Sequence, residues 1–250
     1  MTYTATVTSM FWSNKQVDAQ EIKNQPRALQ IMFGGISGRY DLLNRLISLG
    51  RDRAWRRHVV ESAALPPGGK LLDIGAGTGG IAMEALRLNA NLHIIAADYT
   101  IQMMVVGRRK TDTNKICWCN ADALQLPFPQ AVFDAVASGY LIRNVTNAEQ
   151  AFKEQMRVTK PGGRIVCLDT SPPPPNAIRP FIVFYLRFVI PLLGQLIARD
   201  RVAYEYLPTS TQSFMTPDEL TSTMRNVGLE NVQYVRFMLG TQVFASGIRP

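Results

Sequence analysis

The chain has 250 residues, 46% of them hydrophobic, and a formal net charge of +8. That length suits one domain with additions, and the apolar share is that of an ordinary globular protein. Three cysteines make no disulfide framework, Cys117-x-Cys119 lacks the second pair of a zinc knuckle, and the basic balance comes with no nucleic-acid-binding motif or long lysine run.

Residues 1–26 read as a flexible N-terminal extension. Met1 to Gln25 has no charged start followed by an apolar core, so a secretory leader is not expected. Residues 27–250 read as one domain. Apolar residues at 42, 43, 46, 47 and 49 fit a short amphipathic helix. A second helix is expected over Arg51 to Ala64, ending before Pro66-Pro67-Gly68-Gly69.

Lys70 to Gly80 is the centre of the sequence. Leu71 and Leu72 lead into Asp73, and Gly75, Gly77, Gly79 and Gly80 follow before a helical run. This is a strand, a glycine turn and a helix start. Glycine permits positive φ and a close ligand, and a helix N-terminus offers unpaired N–H groups. Gly75-x-Gly77-x-x-Gly80 alone satisfies a dinucleotide pattern, which is weak by itself. The acid two residues ahead of the first glycine makes the string resemble the first motif of class I S-adenosylmethionine (SAM) methyltransferases.

Four more strands are expected after it. Leu92 to Ala97 ends in Asp98, placed to accept from ribose hydroxyls. Lys115 to Asn120 precedes Asp122-Ala123, Phe133 to Ser138 precedes Gly139, and Arg164 to Asp169 closes the series. Helices alternate with these strands, which argues for a mostly parallel α/β sheet covered on both faces. Ligands in such folds sit beyond the carboxyl ends of the strands. Gly75 to Gly79, Asp98, Asp122 and Gly139 to Asn144 all fall there.

Pro172 to Pro175 reads as an extended connector. Ile178 to Ile197 is very apolar, yet Arg179, Pro180, Arg187 and Pro191 interrupt it, so it is a poor membrane-spanning candidate. It reads as a buried helix, a lid, or a face touching a bilayer. An apolar substrate or lid insertion is therefore expected over about 172–212. Thr216 should cap a helix with Pro217 at its first position and Glu219 at the third. Val232 to Phe237 and Gln242 to Ser246 should close the sheet as an antiparallel hairpin, making seven strands.

Several segments together resemble the C-methyltransferases of menaquinone and ubiquinone biosynthesis. They include Arg39 to Asn44, Ser48 to Arg57, the Asp73 motif, Leu126-Pro127-Phe128, Arg143-Asn144-Val145-Thr146, Lys160 to Gly163 and Tyr204-x-Tyr206-Leu207-x-x-Ser210. The resemblance implies a Rossmann-like class I fold, SAM as cofactor and a polyprenylated quinol as substrate, with peripheral membrane contact and no nucleic-acid partner. It implies cofactor contacts at Asp73, Gly75, Gly77, Thr78, Gly79, Asp98, Asp122 and Ala123, with Ser138 or Gly139 lining the site. It implies Arg143 and Asn144 near the quinol oxygen, with Tyr40, Asp200 and Tyr204 completing a polar network. The chain departs from the family at Leu141, where a glycine is usual, and at Asp169-Thr170-Ser171, where Glu-Phe-Ser is usual. Neither His58 nor His93 lies at a carboxyl strand end, so a histidine base is not expected.

Overall fold

A computed structural model of the protein describes residues 22–110, 115–197 and 201–250. The strands β1 (Lys70–Ile74), β2 (His93–Asp98), β3 (Ile116–Asn120), β4 (Phe133–Gly139) and β5 (Thr159–Thr170) run parallel. The strand β6 (Glu230–Phe237) pairs with β7 (Gln242–Ile248), and β7 lies antiparallel to β5. The sheet order is β3-β2-β1-β4-β5-β7-β6. Strand order reverses between β1 and β4, which opens a crevice at their carboxyl ends.

Apolar residues on both faces of β1 explain its position at the centre. Leu71 packs with Trp55, Val59 and Ala85 on one side. Leu72 packs with Phe152, Val158 and Leu220 on the other. Alternate strand residues point to opposite faces, so two neighbouring leucines serve two cores.

Among the described residues the helices are α1 (Pro26–Ile36), α2 (Tyr40–Ile47), α3 (Asp52–Ser62), α4 (Gly80–Leu88), α5 (Ile101–Arg108), α6 (Ala148–Val158), α7 (Arg179–Ile197), α8 (Arg201–Gln212) and α9 (Pro217–Asn226). The start of α9 follows the sequence signal. Thr216 accepts from the Glu219 amide, and the Glu219 carboxylate accepts from the Thr216 amide.

Helices α1, α2, α7 and α8 form a third core above the crevice. Leu29, Met32 and Leu43 meet Ile182, Leu186, Ile190, Tyr204 and Tyr206 there. Ile22 packs against this cluster, so ordered packing begins before residue 27; residues 1–21 lie outside the described residues. Gly34-Gly35 disguises α1 in the sequence, yet the helix runs through both glycines because its buried side is carried by Leu29, Met32 and Ile36.

One strand differs from expectation. β5 begins at Thr159, not Arg164. Pairing with β4 jumps from Phe133↔Thr159 to Ala135↔Arg164, so Lys160 to Gly163 bulges out, with Gly162 at φ 75°. The apolar segment forms a helix, α7, that continues through its prolines. Pro180 sits in the first turn, where an amide is not needed. Ahead of Pro191 the helix widens into a π turn at Tyr185–Val189, which relieves the ring's clash with the preceding turn. By length and composition α7 qualifies for membrane crossing, with 19 residues and a mean hydropathy of 1.8. One side of it is nevertheless built into the third core.

Candidate active site

The crevice holds two adjoining cavities. The first is lined by Gly75, Gly77, Asp98, Asp122, Ala123 and Gly139 from the strand ends, together with Tyr40 and Asn144. The glycine turn is shaped by its torsion angles: Gly75, Gly77 and Gly79 lie at φ 67°, 56° and 81°. A Cβ on Gly75 would stand 2.9 Å from Leu141 Cδ1. Leu141 therefore lies directly over the turn, where it lines the cavity.

Asp98 organises this cavity. Its carboxylate accepts from the Gly77 amide at 2.7 Å and from the Thr100 amide at 2.6 Å. Burial pushes its pKa up, while the same two amides pull it down. Asp98 thereby ties the glycine turn of β1 to the end of β2.

Asp73, Thr78, Gly79 and Ser138 stand behind the cavity wall. Asp73 is buried beneath the turn and accepts from the Ala82 amide at 3.0 Å, fastening the first turn of α4. Burial raises its pKa from 3.8 to about 7. Thr78 donates to Asp41 of α2, and Gly79 makes room for the Trp118 ring. Ser138 is buried in β4 beside Ile74 and Cys167, so Gly139 does the lining.

The second cavity lies beneath α1, α2 and α8. Its lining includes Tyr40, Asn44, Tyr140, Arg143, Tyr206 and Gln242. Tyr40 and Tyr140 line both cavities, so the two communicate. Arg143 is 6% exposed. Its Nη1 donates to Asp169 Oδ1 at 2.6 Å, and its own amide donates to Asp169 Oδ2 at 3.1 Å. Burial works to lower the Arg143 pKa, but the Asp169 carboxylate more than reverses this and holds it above its usual value. The guanidinium also lies 5.2 Å from the Tyr140 ring centroid.

Asn144 is set by two bonds. It donates to the Tyr140 carbonyl at 2.7 Å and accepts from the Tyr206 hydroxyl at 2.8 Å. Burial raises the Tyr206 pKa to about 12, against the opposing pull of Arg143, so the hydroxyl stays protonated as a donor. Tyr204 lines the cavity too, and its ring lies over Gly194 of α7, where a Cβ would collide with it. Asp200 lies outside the described residues. His58 packs between Phe237 and Phe244, away from both cavities.

Three buried atoms of this second cavity have no hydrogen-bond partner: Asn44 Nδ2, Arg143 Nε and Gln242 Oε1. Buried polar atoms are normally satisfied, and among the described residues five further side-chain atoms, on Asp73, Trp118, Ser138 and Gln155, are in the same state. Sequence reasoning missed Gln242, because nothing separates it from any other strand-edge glutamine. It also missed the Asp169 partnership, though an acid at the carboxyl end of β5 was a usable signal.

The ubiE/COQ5 methyltransferase family model matches residues 19–249. The chain belongs to the ubiE/COQ5 methyltransferase family. It is a SAM-dependent methyltransferase. It is 44% identical over 210 residues to the ubiquinone/menaquinone biosynthesis C-methyltransferase UbiE of Desulfotalea psychrophila, covering 84% of this chain and 85% of that one. It is 38% identical over 221 residues to the demethylmenaquinone methyltransferase of Thermus thermophilus, covering 88% and 100% respectively. The fold is similar to that of a SAM-dependent methyltransferase, a possible histamine N-methyltransferase, from Thermotoga maritima. That likeness has a TM-score of 0.59 at 20% identity and covers 88% of this chain and 98% of the other.

The first cavity fits the family's cofactor. A carboxylate stands at the end of β2 for vicinal hydroxyls, and a positive-φ glycine turn leaves the backbone open to a ligand.

Proposed function

We propose that this enzyme methylates a ring carbon of a polyprenylated quinol, demethylmenaquinol, with cytoplasmic placement and peripheral contact with a membrane. The names of its relatives support the substrate class. The observation that carries the reading is a cavity beside the cofactor site lined by Asn44, Arg143 and Gln242, whose Nδ2, Nε and Oε1 atoms have no hydrogen-bond partner within the protein. A quinol has two hydroxyls, each a donor and an acceptor. Two of the open atoms are donors and one is an acceptor, which suits such a ligand.

SAM supplies a methyl group already activated on a sulfonium. Asp98, the glycine turn, Asp122 and Ala123 would hold it. The chain must then make the ring carbon nucleophilic and place it in line. Arg143 is fixed by Asp169, through one bond from Nη1 and one from its own amide, which holds the guanidinium at the wall of the second cavity. A permanent cation there stabilises a quinolate oxygen, so the ring hydroxyl gives up its proton more readily. Negative charge then reaches the ortho carbon. That carbon would take the methyl group as the S–CH3 bond breaks with its electron pair left on sulfur, and would then release its own hydrogen as a proton to water as aromaticity returns. Asn144, held by Tyr206 and the Tyr140 carbonyl, keeps the loop between the two cavities rigid. Gln242 accepts from the second hydroxyl and so distinguishes the reduced ring from a quinone, which has no O–H to give.

The test is methyl transfer from labelled SAM to reduced demethylmenaquinone in detergent, with a demethylated benzoquinol alongside. Label in the naphthoquinol product is the expected result. Label only in the benzoquinone product would overturn the choice of ring, and label in neither, with SAM binding intact, would overturn the quinol reading.

A further inference from the structure

A third cavity of about 360 Å³ continues from the second one. Ile47, Thr170, Leu207, Met238 and Gln242 line both. Its remaining walls are almost wholly apolar, with Ile182, Leu186 and Ile190 of α7 on one side. The polar ring site and the apolar groove thus adjoin along shared walls.

The groove reaches the surface at three exposed apolar side chains, Leu49, Phe181 and Leu239. They are 73%, 76% and 66% exposed. Leu49 and Leu239 are also held at φ 53° and 56°. The left-handed conformation is unfavourable for a leucine, and such strain clusters where a site requires it. Two turns therefore spend backbone strain on pushing leucines into solvent at the groove's mouth.

The exposure does not stop at the mouth. Phe181, Phe184, Phe188, Leu192 and Leu196 recur every three or four residues and form one exposed stripe along α7. The opposite side of the helix, Ile182, Leu186, Ile190 and Gly194, is buried. An exposed stripe of this kind marks an interaction surface. Around it stand Arg45, Arg51, Arg179 and Arg187, all exposed, on a chain of net charge +8. Apolar side chains flanked by arginines are the composition of a helix lying in an anionic lipid interface.

We propose that the groove binds the first isoprene units of the acceptor's tail, and that its mouth sits in the surface of an anionic bilayer, so that the substrate enters sideways from the lipid. This rests on the quinol reading above. The ring then occupies the polar cavity, the near part of the tail lines α7, and the rest of the tail stays in the membrane. Tyr185 supports the arrangement by donating to the Ile47 carbonyl at 3.0 Å, which pins α7 against α2 along the groove.

The groove is tested with two acceptors of one ring, with and without a prenyl tail, and with Ile178→Trp at the half-open mouth. The unsubstituted enzyme should show a KM for the tailed acceptor at least tenfold below that for the tail-less one. Ile178→Trp should raise the first about tenfold and leave the second unchanged. Equal values for both acceptors in both proteins would overturn the groove. Farnesol binding, followed by isothermal titration calorimetry, provides a readout independent of catalysis. Binding weakened by Ile178→Trp supports the groove even if no quinol is methylated, and unaltered binding counts against it. The surface is tested by sedimentation with phosphatidylethanolamine–phosphatidylglycerol vesicles. The enzyme should pellet, and the combined Phe181→Ser, Phe184→Ser and Phe188→Ser variant should stay in the supernatant with its thermal unfolding unchanged. Equal pelleting of both, or of neither, would overturn the bilayer assignment.

Discussion

Arg143, which lines the second cavity, and Asp169 form a buried ion pair 2.6 Å long, 26 positions apart in the chain. Asp169 spends its other oxygen on the Arg143 amide. The pair therefore fixes both the guanidinium and the loop that carries it.

Removing one partner leaves the other charge buried and unpaired, which costs about 3–5 kcal/mol. Arg143→Ala should thus lower both turnover and thermal stability. The double variant Arg143→Ala with Asp169→Asn should recover most of the stability and none of the turnover. Differential scanning calorimetry and initial rates on the same samples check this. Recovery of turnover along with stability would reduce Arg143 to a structural element.

The glycine turn is held from above. Thr78 donates to Asp41 Oδ1 at 2.7 Å, and Lys110 pairs with Asp41 Oδ2 at 2.7 Å and also donates to the Thr78 carbonyl at 2.9 Å. Three elements, α2, the turn and the end of α5, are joined through one carboxylate. Asp41→Ala should raise the KM for SAM about tenfold, worth about 1.4 kcal/mol, with a smaller change in kcat. An unaltered KM would mean that α2 does not steady the cofactor site.

Asp73 carries a pH signature. Its folded pKa of about 7 lies above the ordinary 3.8. Between roughly pH 4 and pH 7 the folded state therefore binds more protons than the unfolded state, and stability falls as pH rises. Above that window the loss is complete. Asp73→Asn keeps an acceptor for the Ala82 amide, so it should flatten this slope and stabilise the cofactor-free protein at pH 8 by on the order of a few kcal/mol. Denaturant unfolding from pH 4 to pH 8 measures both. A slope preserved in the variant would assign the effect to another group.

Gln242 tests the ring site from the side opposite Arg143. Gln242→Leu removes the open acceptor while keeping an apolar body of similar size. The KM for a quinol should rise by about fivefold to tenfold, a hydrogen bond's worth of about 1 kcal/mol. SAM binding should not change. Loss of SAM affinity instead would place Gln242 in the wrong cavity.

The central sheet was legible in the sequence because its signals are local. Leu71-Leu72 before Asp73, the glycines after it, and the capping box at Thr216 each depend only on near neighbours. The positions of Asp98 and Gly139 followed from being last in their strands, and that of Asp122 from following β3 by two residues. What escaped depends on tertiary contact. The Asp169 bond to Arg143 crosses 26 positions, and the open oxygen of Gln242 has meaning only once α2 and α8 are folded over it. The widened turn that accommodates Pro191 in α7 is likewise not a local signal. Asp73 and Thr78 were read as cofactor contacts from their place in the motif. In the folded chain Asp73 accepts from the Ala82 amide beneath the glycine turn and Thr78 donates to Asp41 above it.

The most direct measurement of the central claim is the position of the transferred methyl group on demethylmenaquinone, supplied reduced and oxidised in parallel with labelled SAM. A site in which Arg143 stabilises a quinolate and Gln242 accepts from a hydroxyl should place the methyl on a ring carbon of the reduced acceptor alone. Label on oxygen, or equal labelling of the oxidised ring, would contradict it.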